Sequence, residues 1–449
     1  MCYRTIQVTF FDRFISMINP IHLREVGVRF TVYFSQVITG GYSIMNYNEA
    51  VAKLQRYGQE HLLKYYEELD AQEKEALLVQ IESTDFNVIK AGRCPSPRGV
   101  ITPLEIMTLD KIEASKQHLF EVGIKAIKAG KVGAVLLAGG MGTRLGSDEP
   151  KGMYDIGVTR QLYIFECIVN NLMDVVKQTD TWIQLFVMTS EKNNDDTIAF
   201  FKKHDFFGYN PEHVAFFVQD MAPTSDTNGK VFLEEKGRIS TSPNGNGGWY
   251  LSMKKSGMLD IVKTRGIEWL NVFAVDNVLQ RTADPVFVGA VIEGNFSAGC
   301  KVVRKINPEE NIGVLCMEDG KPSIVEYYEL TDDMRYEKND RGEYIYNFGT
   351  ILNFLFKESE LANLLEKELP IHVVERKIPY IDENGNLVKP EQPNGYKYEQ
   401  HINDMVHMIG SCLPFEVLRE HEFAPIKNKE GIDSVETARE LLRKNGVIL

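Results

Sequence analysis

The 449-residue sequence has no run of 18 apolar residues, so no membrane-spanning helix is expected. Cysteine is scarce: six residues (Cys2, Cys94, Cys167, Cys300, Cys316, Cys412) stand far apart, with no Cys-x-x-Cys pair and no neighbouring histidine. That pattern argues against a disulfide framework or a zinc site and suits a reduced, cytoplasmic compartment. Basic charge is also short, with 50 Lys and Arg against 63 Asp and Glu for a net charge of −13. A protein that coats nucleic acid or an anionic membrane is thereby disfavoured, although a local basic cluster could still hold a small anion. Internal repeats and low-complexity tracts are absent, and without a hexapeptide repeat no left-handed β-helix acyltransferase is expected. What remains is a globular composition, 43% hydrophobic and 25% charged, which is too apolar for disorder. At roughly 100–200 residues per domain, the length is enough for two or three domains.

Residues 1–44 differ from the rest. They carry eight aromatics, no lysine, and four arginines against Asp12 and Glu25. Asp12 and Arg13 interrupt what would be the apolar centre of a signal peptide, so the segment reads as a leader outside the fold, which then begins at Met45. Residues 45–105 form the expected N-terminal helical subdomain. Val51, Leu54, Gly58, Leu62, Tyr65 and Leu69 recur at helical spacing there, predicting two amphipathic helices over 46–82.

Residues 106–390 form the expected central domain and 391–449 a C-terminal subdomain. In the central part, Val132–Ala138, Ile183–Thr189, Val214–Val218 and Leu270–Val275 are short apolar runs bounded by turn residues, and read as buried strands. Leu162–Val176, Thr197–His204 and Leu251–Arg265 read as the intervening helices. This alternation predicts an α/β fold, Rossmann-like, with a mixed, mostly parallel central sheet flanked by helices. Further strands are expected at Cys300–Arg304, Ile312–Met317, Ser323–Tyr328 and Tyr344–Leu352, and a terminal helix at Ser434–Lys444 that stops at Asn445-Gly446. In such sheets ligands bind beyond the carboxyl ends of the strands, so the loops after these strands are where chemistry is sought.

The strongest local signal follows the first of them: Leu137-Ala-Gly-Gly-Met-Gly-Thr-Arg-Leu-Gly146, then Pro150-Lys-Gly152. Glycines let backbone N–H groups approach a phosphate without a Cβ in the way, while Arg144 and Lys151 supply positive charge. The spacing Gly140-x-Gly142-x-x-x-Gly146 is one residue too long for the dinucleotide fingerprint, which speaks against a NAD-dependent oxidoreductase. No Gly-Lys-Ser/Thr closes the loop as a Walker A motif would.

The block from Leu137 to Asp155 resembles the signature loop of UTP-dependent sugar-1-phosphate uridylyltransferases, and is most similar to the eukaryotic-type UDP-N-acetylhexosamine pyrophosphorylases. The resemblance continues in order through Phe217–Pro223, Gly229–Lys236, Ser242–Gly248, Val275–Asn277, Val325–Glu329, Lys377–Tyr380, Pro393–Lys397 and Arg419–Asn428, covering about residues 46–445. It implies reversible transfer of a uridylyl group, in which UTP and a sugar 1-phosphate give a UDP-sugar and pyrophosphate.

By the same resemblance, Arg144, Lys151 and Lys397 are the catalytic cations, Lys397 lying in an expected turn. Ala138, Gly139, Gly140, Gly142, Thr143, Gln219, Gly245, Asn246, Glu326, Tyr327 and Thr350 are the substrate-binding set. Gln219 and Gly245 would meet the uracil, and Asn246, Glu326 and Tyr327 the sugar. An amide such as Gln219 both donates and accepts, as a uracil edge requires. Asp276 would hold Mg²⁺, an ion commonly bound by one or two carboxylates plus substrate oxygens; the lesser alternative is that Asp276 caps the next helix.

The family's acetylhexosamine members carry Phe-Asn-Ala-Gly-Asn-Ile where this chain has Tyr346-Asn-Phe-Gly-Thr-Ile351. N-acetylglucosamine 1-phosphate is the expected sugar by this resemblance; because Thr350 lacks the amide of the second asparagine and Phe348 adds bulk, glucose 1-phosphate or a broad range of sugar 1-phosphates is the alternative. A non-catalytic UDP-sugar sensor is the reading from a different class. No partner beyond these small molecules is expected, and the chain should be a monomer or weak oligomer.

Overall fold

The computed structural model describes residues 45–91 and 98–449. The leader expected over 1–44, together with Cys2 and Cys94, lies outside the described residues. The described residues divide into two compact units, one within Met1–Ser83 together with Lys236–Arg238 and one within Thr84–Glu235 together with Ile239–Leu449.

In the first unit, α1 (Tyr47–Tyr57) starts at a capping box: Asn46 accepts from the Glu49 N–H, and the Glu49 carboxylate accepts from the Asn46 N–H. It stops at Gly58, in the left-handed region at φ 65°. The apolar periodicity continues past that glycine, but Leu62 lies in a short 3₁₀ segment, and α2 resumes only at Ala71–Ser83. The two expected helices are present, with 3₁₀ turns between them.

The second unit is built on a ten-stranded sheet. In chain order its elements are β1 (Ile101–Thr102), α3 (Leu109–Lys128), β2 (Val132–Leu137), α4 (Ile164–Thr179), β3 (Gln184–Thr189), α5 (Asn194–Lys203) and β4 (Val214–Val218). There follow α6 (Trp249–Lys255), α7 (Met258–Arg265), β5 (Trp269–Ala274), α8 (Pro285–Glu293), β6 (Ala298–Arg304), β7 (Val314–Glu318), β8 (Lys321–Val325) and β9 (Phe348–Lys357). The chain closes with β10 (His372–Arg376), β11 (Gly395–Glu399), α9 (Ile402–Ile409), β12 (Leu413–Glu416) and α10 (Val435–Lys444). The main path runs β1-β7-β9-β5-β2-β3-β4. Strands β5, β2, β3 and β4 are mutually parallel, and β9 joins β5 antiparallel.

Both faces of the parallel half are covered, and alternation along the strands shows it. In β2, Ala134 and Leu136 enter one core cluster while Val135 and Leu137 enter the other. Leu185 and Val187 of β3 face the first, Phe186 and Met188 the second. A strand buried on both sides needs apolar residues at every position, which is why these runs are continuous.

Three expected boundaries move. The helix expected over Leu251–Arg265 is two helices, because Gly257 at φ 73° separates α6 from α7. The strand expected over Ser323–Tyr328 ends at Val325, leaving Glu326 and Tyr327 in a turn. Residues 391–449 are part of the large unit: β12 is a strand of its main sheet, parallel to β6. A sheet neighbour so distant in sequence leaves no trace in composition.

Candidate functional site

The loops after β2, β3 and β5 supply the first group of site residues. After β2, Ala138 is buried, donating its N–H to Met188 at 2.8 Å. The glycine turn that follows is tied back by Gly142 N–H to Glu149 O at 2.8 Å and by Lys151 N–H to Gly140 O at 3.1 Å. Thr143 and Arg144 lie in a one-turn 3₁₀ segment and stay exposed. Asn193, fully buried beyond β3, donates Nδ2 to Ala138 O at 2.9 Å and to Gly140 O at 3.4 Å. Asn193 holds the loop's shape, and no sequence motif singled it out.

Lys151 brings its ammonium to 3.8 Å from Asp276 Oδ2, at the end of the neighbouring β5. Burial pushes the Lys151 pKa down; Asp276 opposes that shift, while Lys427 and Arg144 add to it by repulsion. Lys427 is thus a third cation at this corner, itself paired with Asp433 at 3.1 Å. It lies in the Arg419–Asn428 block of the resemblance, but only the fold brings it beside Lys151. Asp276 is not a helix cap: Asp284 caps α8, accepting from the Val286 N–H at 3.0 Å. The Asp276 carbonyl accepts from Ile426 N–H at 2.8 Å, which joins the Lys427 segment to the end of β5.

Beneath this corner Lys301, fully buried on β6, contacts Glu422 at 2.6 Å and Asp284 at 3.1 Å. Asn277 Nδ2 donates to Glu422 O at 2.7 Å, and Asn277 Oδ1 accepts from Ala424 N–H at 2.9 Å. The 422–427 segment is therefore fixed from below by satisfied polar groups.

The second group surrounds the Ser242–Gly248 loop. Gln219 is buried rather than a surface amide. Its Nε2 donates to Gly245 O at 2.7 Å, and its Oε1 would lie 3.0 Å from a Cβ at Gly139. Gln219 thereby connects the glycine turn to the Gly245 loop. Gly245 has φ 88°, and a Cβ there would come 2.3 Å from Gln400 O, so only glycine fits. Asn246 Oδ1 accepts from Ile402 N–H at 3.0 Å, at the start of α9.

Lys397 lies in the middle of β11, between β10 and the short strand Ser225–Asp226, and not in the turn expected for it. Partial burial lowers its pKa, opposed by Glu399 and reinforced by Lys192 and Arg376. Lys192 follows β3 and makes this a second basic group, distinct in its neighbours from that around Lys151.

Glu326 and Tyr327 stand together directly after β8, and Thr350 near the start of β9. Thr350 donates its N–H to Gly313 O at 2.9 Å, and a Cβ built on Gly313 would lie 3.5 Å from Glu326 Oε2. Phe348 lies under the Arg304 guanidinium, 4.8 Å from ring centroid to Cζ.

No group of three or more His, Cys, Asp or Glu side chains able to hold a metal is present among the described residues. Asp276 could hold an ion together with substrate oxygens, a mode that suits Mg²⁺. No helix of the described residues is long and apolar enough to cross a membrane.

The chain matches the family model described as UTP–glucose-1-phosphate uridylyltransferase over residues 95–442. It is 37% identical over 408 residues to UDP-N-acetylhexosamine pyrophosphorylase-like protein 1 of Mus musculus, covering 85% of this chain and 80% of that one. Identity to the UDP-N-acetylglucosamine pyrophosphorylase of Saccharomyces cerevisiae is 34% over 407 residues, covering 86% and 84% respectively. Among solved structures, the Trypanosoma brucei uridine diphosphate N-acetylglucosamine pyrophosphorylase in complex with an inhibitor superposes with a TM-score of 0.76. It is 27% identical, with coverage of 90% of this chain and 85% of that one.

Proposed function

The chain belongs to the UTP–glucose-1-phosphate uridylyltransferase family, and on that premise we propose that it joins UTP to N-acetylglucosamine 1-phosphate, releasing pyrophosphate. One observation carries this reading most: Arg144, Lys151, Lys427 and Asp276 gather at the carboxyl ends of two adjacent parallel strands, beside a glycine turn with open space over Gly140. Three cations against two carboxylates, Asp276 and Asp433, leave a local positive excess that fits a polyphosphate better than an uncharged ligand, on a chain whose net charge is −13.

In the proposed reaction a phosphate oxygen of the sugar 1-phosphate attacks the α-phosphorus of UTP in line. The bond from that phosphorus to the bridging oxygen breaks, and pyrophosphate leaves with the electron pair. No covalent enzyme intermediate is needed, and no Gly-x-Ser-x-Gly elbow occurs in the sequence. Catalysis is then positioning plus charge stabilisation. Lys151 and Arg144 neutralise the α-phosphate and the departing pyrophosphate, and Lys397 orients the attacking phosphate. Gln219, with Nε2 already on Gly245 O, keeps Oε1 and its second N–H for the base edge. Asp276 would hold Mg²⁺ with the phosphate oxygens, and the ion when bound supplies further charge neutralisation.

The test is pyrophosphate release by the full chain with UTP and Mg²⁺ across a panel of sugar 1-phosphates. Turnover with preference for N-acetylglucosamine 1-phosphate is expected. Preference for glucose 1-phosphate would leave the reaction standing and replace the sugar. Silence with every sugar, alongside measurable UDP-sugar binding, would overturn catalysis in favour of a sensor.

A further inference from the structure

Two histidines outside every motif of the resemblance meet beside the Ser242–Gly248 loop. His372 opens β10 and His401 directly precedes α9, and their rings stack 4.1 Å apart at 4°. Each ring has its own carboxylate: His372 Nε2 lies 2.8 Å from Asp404 Oδ2, and His401 Nε2 lies 3.9 Å from Glu399 Oε2. All four side chains are half-buried. The pair thus links β10, β11 and α9. The two strands are themselves paired, with His372 opposite Glu399. In α9, Ile402, Met405 and Val406 are buried in one core cluster with Leu315 and Ile324, and Asn403 donates Nδ2 to Glu326 Oε1 at 2.6 Å.

The backbone between Glu399 and Ile402 is what the glycine loop rests on. Gln400 donates its N–H to Asn244 O at 2.7 Å and accepts from Gly247 N–H at 2.8 Å, and Ile402 N–H donates to Asn246 Oδ1 at 3.0 Å. A Cβ on Gly247 would come 2.7 Å from His401 O, so loop and support meet backbone to backbone. His401 is the middle residue of that support, and its ring ties it to β10. Glu399 also acts on Lys397, two residues away on the same face of β11.

Stacked imidazoles attract while at most one is charged, whereas two like charges 4.1 Å apart repel. Asp404 draws the His372 pKa up, so His372 takes the first proton; burial and Arg98 oppose that shift and Glu329 adds to it. The charge facing His401 is Glu399, with Lys397 and Arg376 beside it. We propose that His372 and His401 are positioning residues for the nucleotide loop: their stack holds the Gln400–Ile402 backbone against Asn244–Gly247 while the pair carries no more than one proton, and a second proton opens it. The proposal rests on the uridylyltransferase reading, in which that loop meets the uracil, and adds to it an acid-sensitive control of nucleotide affinity.

The experiment is kcat and KM for UTP at a saturating sugar 1-phosphate, between about pH 8 and pH 5, in the full chain and in His401→Ala and His401→Phe. At the upper pH the alanine variant should raise KM for UTP about threefold to tenfold, the worth of one aromatic stack, with kcat changed by no more than about twofold. Phenylalanine keeps the ring and removes the titrating nitrogens, so it should bring KM back to within about twofold of the unaltered chain. Protonation of UTP itself is common to all three proteins, so the acid response is read as a difference. On going to the lower pH, KM should rise at least about threefold more in the unaltered chain than in His401→Phe. Equal acid responses overturn the proposal, as does an alanine variant with unchanged KM or a phenylalanine variant no better than alanine. Silence of the unaltered chain with every sugar 1-phosphate would instead overturn the uridylyltransferase reading, and the proposal with it.

Discussion

Gly140→Ala separates what the fold needs from what a ligand needs. Among the described residues no atom beyond its chain neighbours lies within 4 Å of a Cβ built there, the residue is exposed, and its φ is outside the left-handed region. The folded chain therefore accepts the methyl without strain, and the lower entropy of the unfolded chain should leave stability unchanged or raised by about 0.4–1 kcal/mol. If the turn presents backbone N–H groups to phosphates, the same methyl stands where the ligand must approach. Loss of one charge-assisted hydrogen bond costs about 1.5–3 kcal/mol, roughly a tenfold to hundredfold rise in KM for UTP. Denaturant midpoints and UTP titrations at saturating sugar phosphate measure the two effects. A UTP KM within twofold of the unaltered chain would refute the phosphate role of this turn. Gly245→Ala is the opposite case: φ 88° and a Cβ 2.3 Å from Gln400 O make it a folding defect before it is a binding one.

Four further outcomes follow from the same geometry. Lys151→Ala should lower kcat by on the order of 10²–10³, by analogy with loss of one preorganised charge contact, and an unchanged kcat would remove Lys151 from the mechanism. Asp276→Ala should abolish turnover together with its dependence on Mg²⁺, so Mg²⁺-dependent activity retained by the variant would point to another ligand. Burial lowers the pKa of Lys151 and Lys397 below the ordinary 10.5, so kcat/KM, which reports the free enzyme, should fall on the alkaline side before pH 10.5. In that window the unfolded chain holds more protons than the folded one, so these two lysines make stability rise with pH while activity falls; a kcat/KM profile flat to pH 10.5 would contradict this. Lys301→Met should cost about 3–5 kcal/mol in chemical denaturation, because it strands two buried carboxylates, Glu422 and Asp284.

How legible the site was depended on the range of the signal. Arg144 and Lys151 were visible because the pattern that holds them is local: a turn between a strand and the next helix combines glycines and cations within about fifteen residues. Asp276 was visible for the same reason, as the residue just beyond a buried strand. Lys397 was recognisable only through resemblance, since a single lysine in a short strand has no local pattern, and its position within β11 depends on pairing with β10 and with Ser225–Asp226. Asn193 and Asn403 stood in no motif, and Lys427, although inside the Arg419–Asn428 block, was not singled out there. Each is an ordinary polar residue whose partner lies between 53 and 276 positions away in sequence, if Lys427 is measured to Lys151 and Asn403 to Glu326.

The sequence alone determined the parallel half of the sheet, because strands buried on both faces need unbroken apolar runs and their connections need helices with one apolar side. It also showed the glycine-and-cation make-up of the loop after β2, where residue type and spacing are read over a single turn. The tertiary structure decided the rest: that β9 enters antiparallel, that β12 brings the C-terminal residues into the main sheet, and that Lys427 comes to Lys151 and Asn403 to Glu326. Those are contacts between segments far apart along the chain. Their existence depends on strand order and helix packing, which no local run of residues encodes.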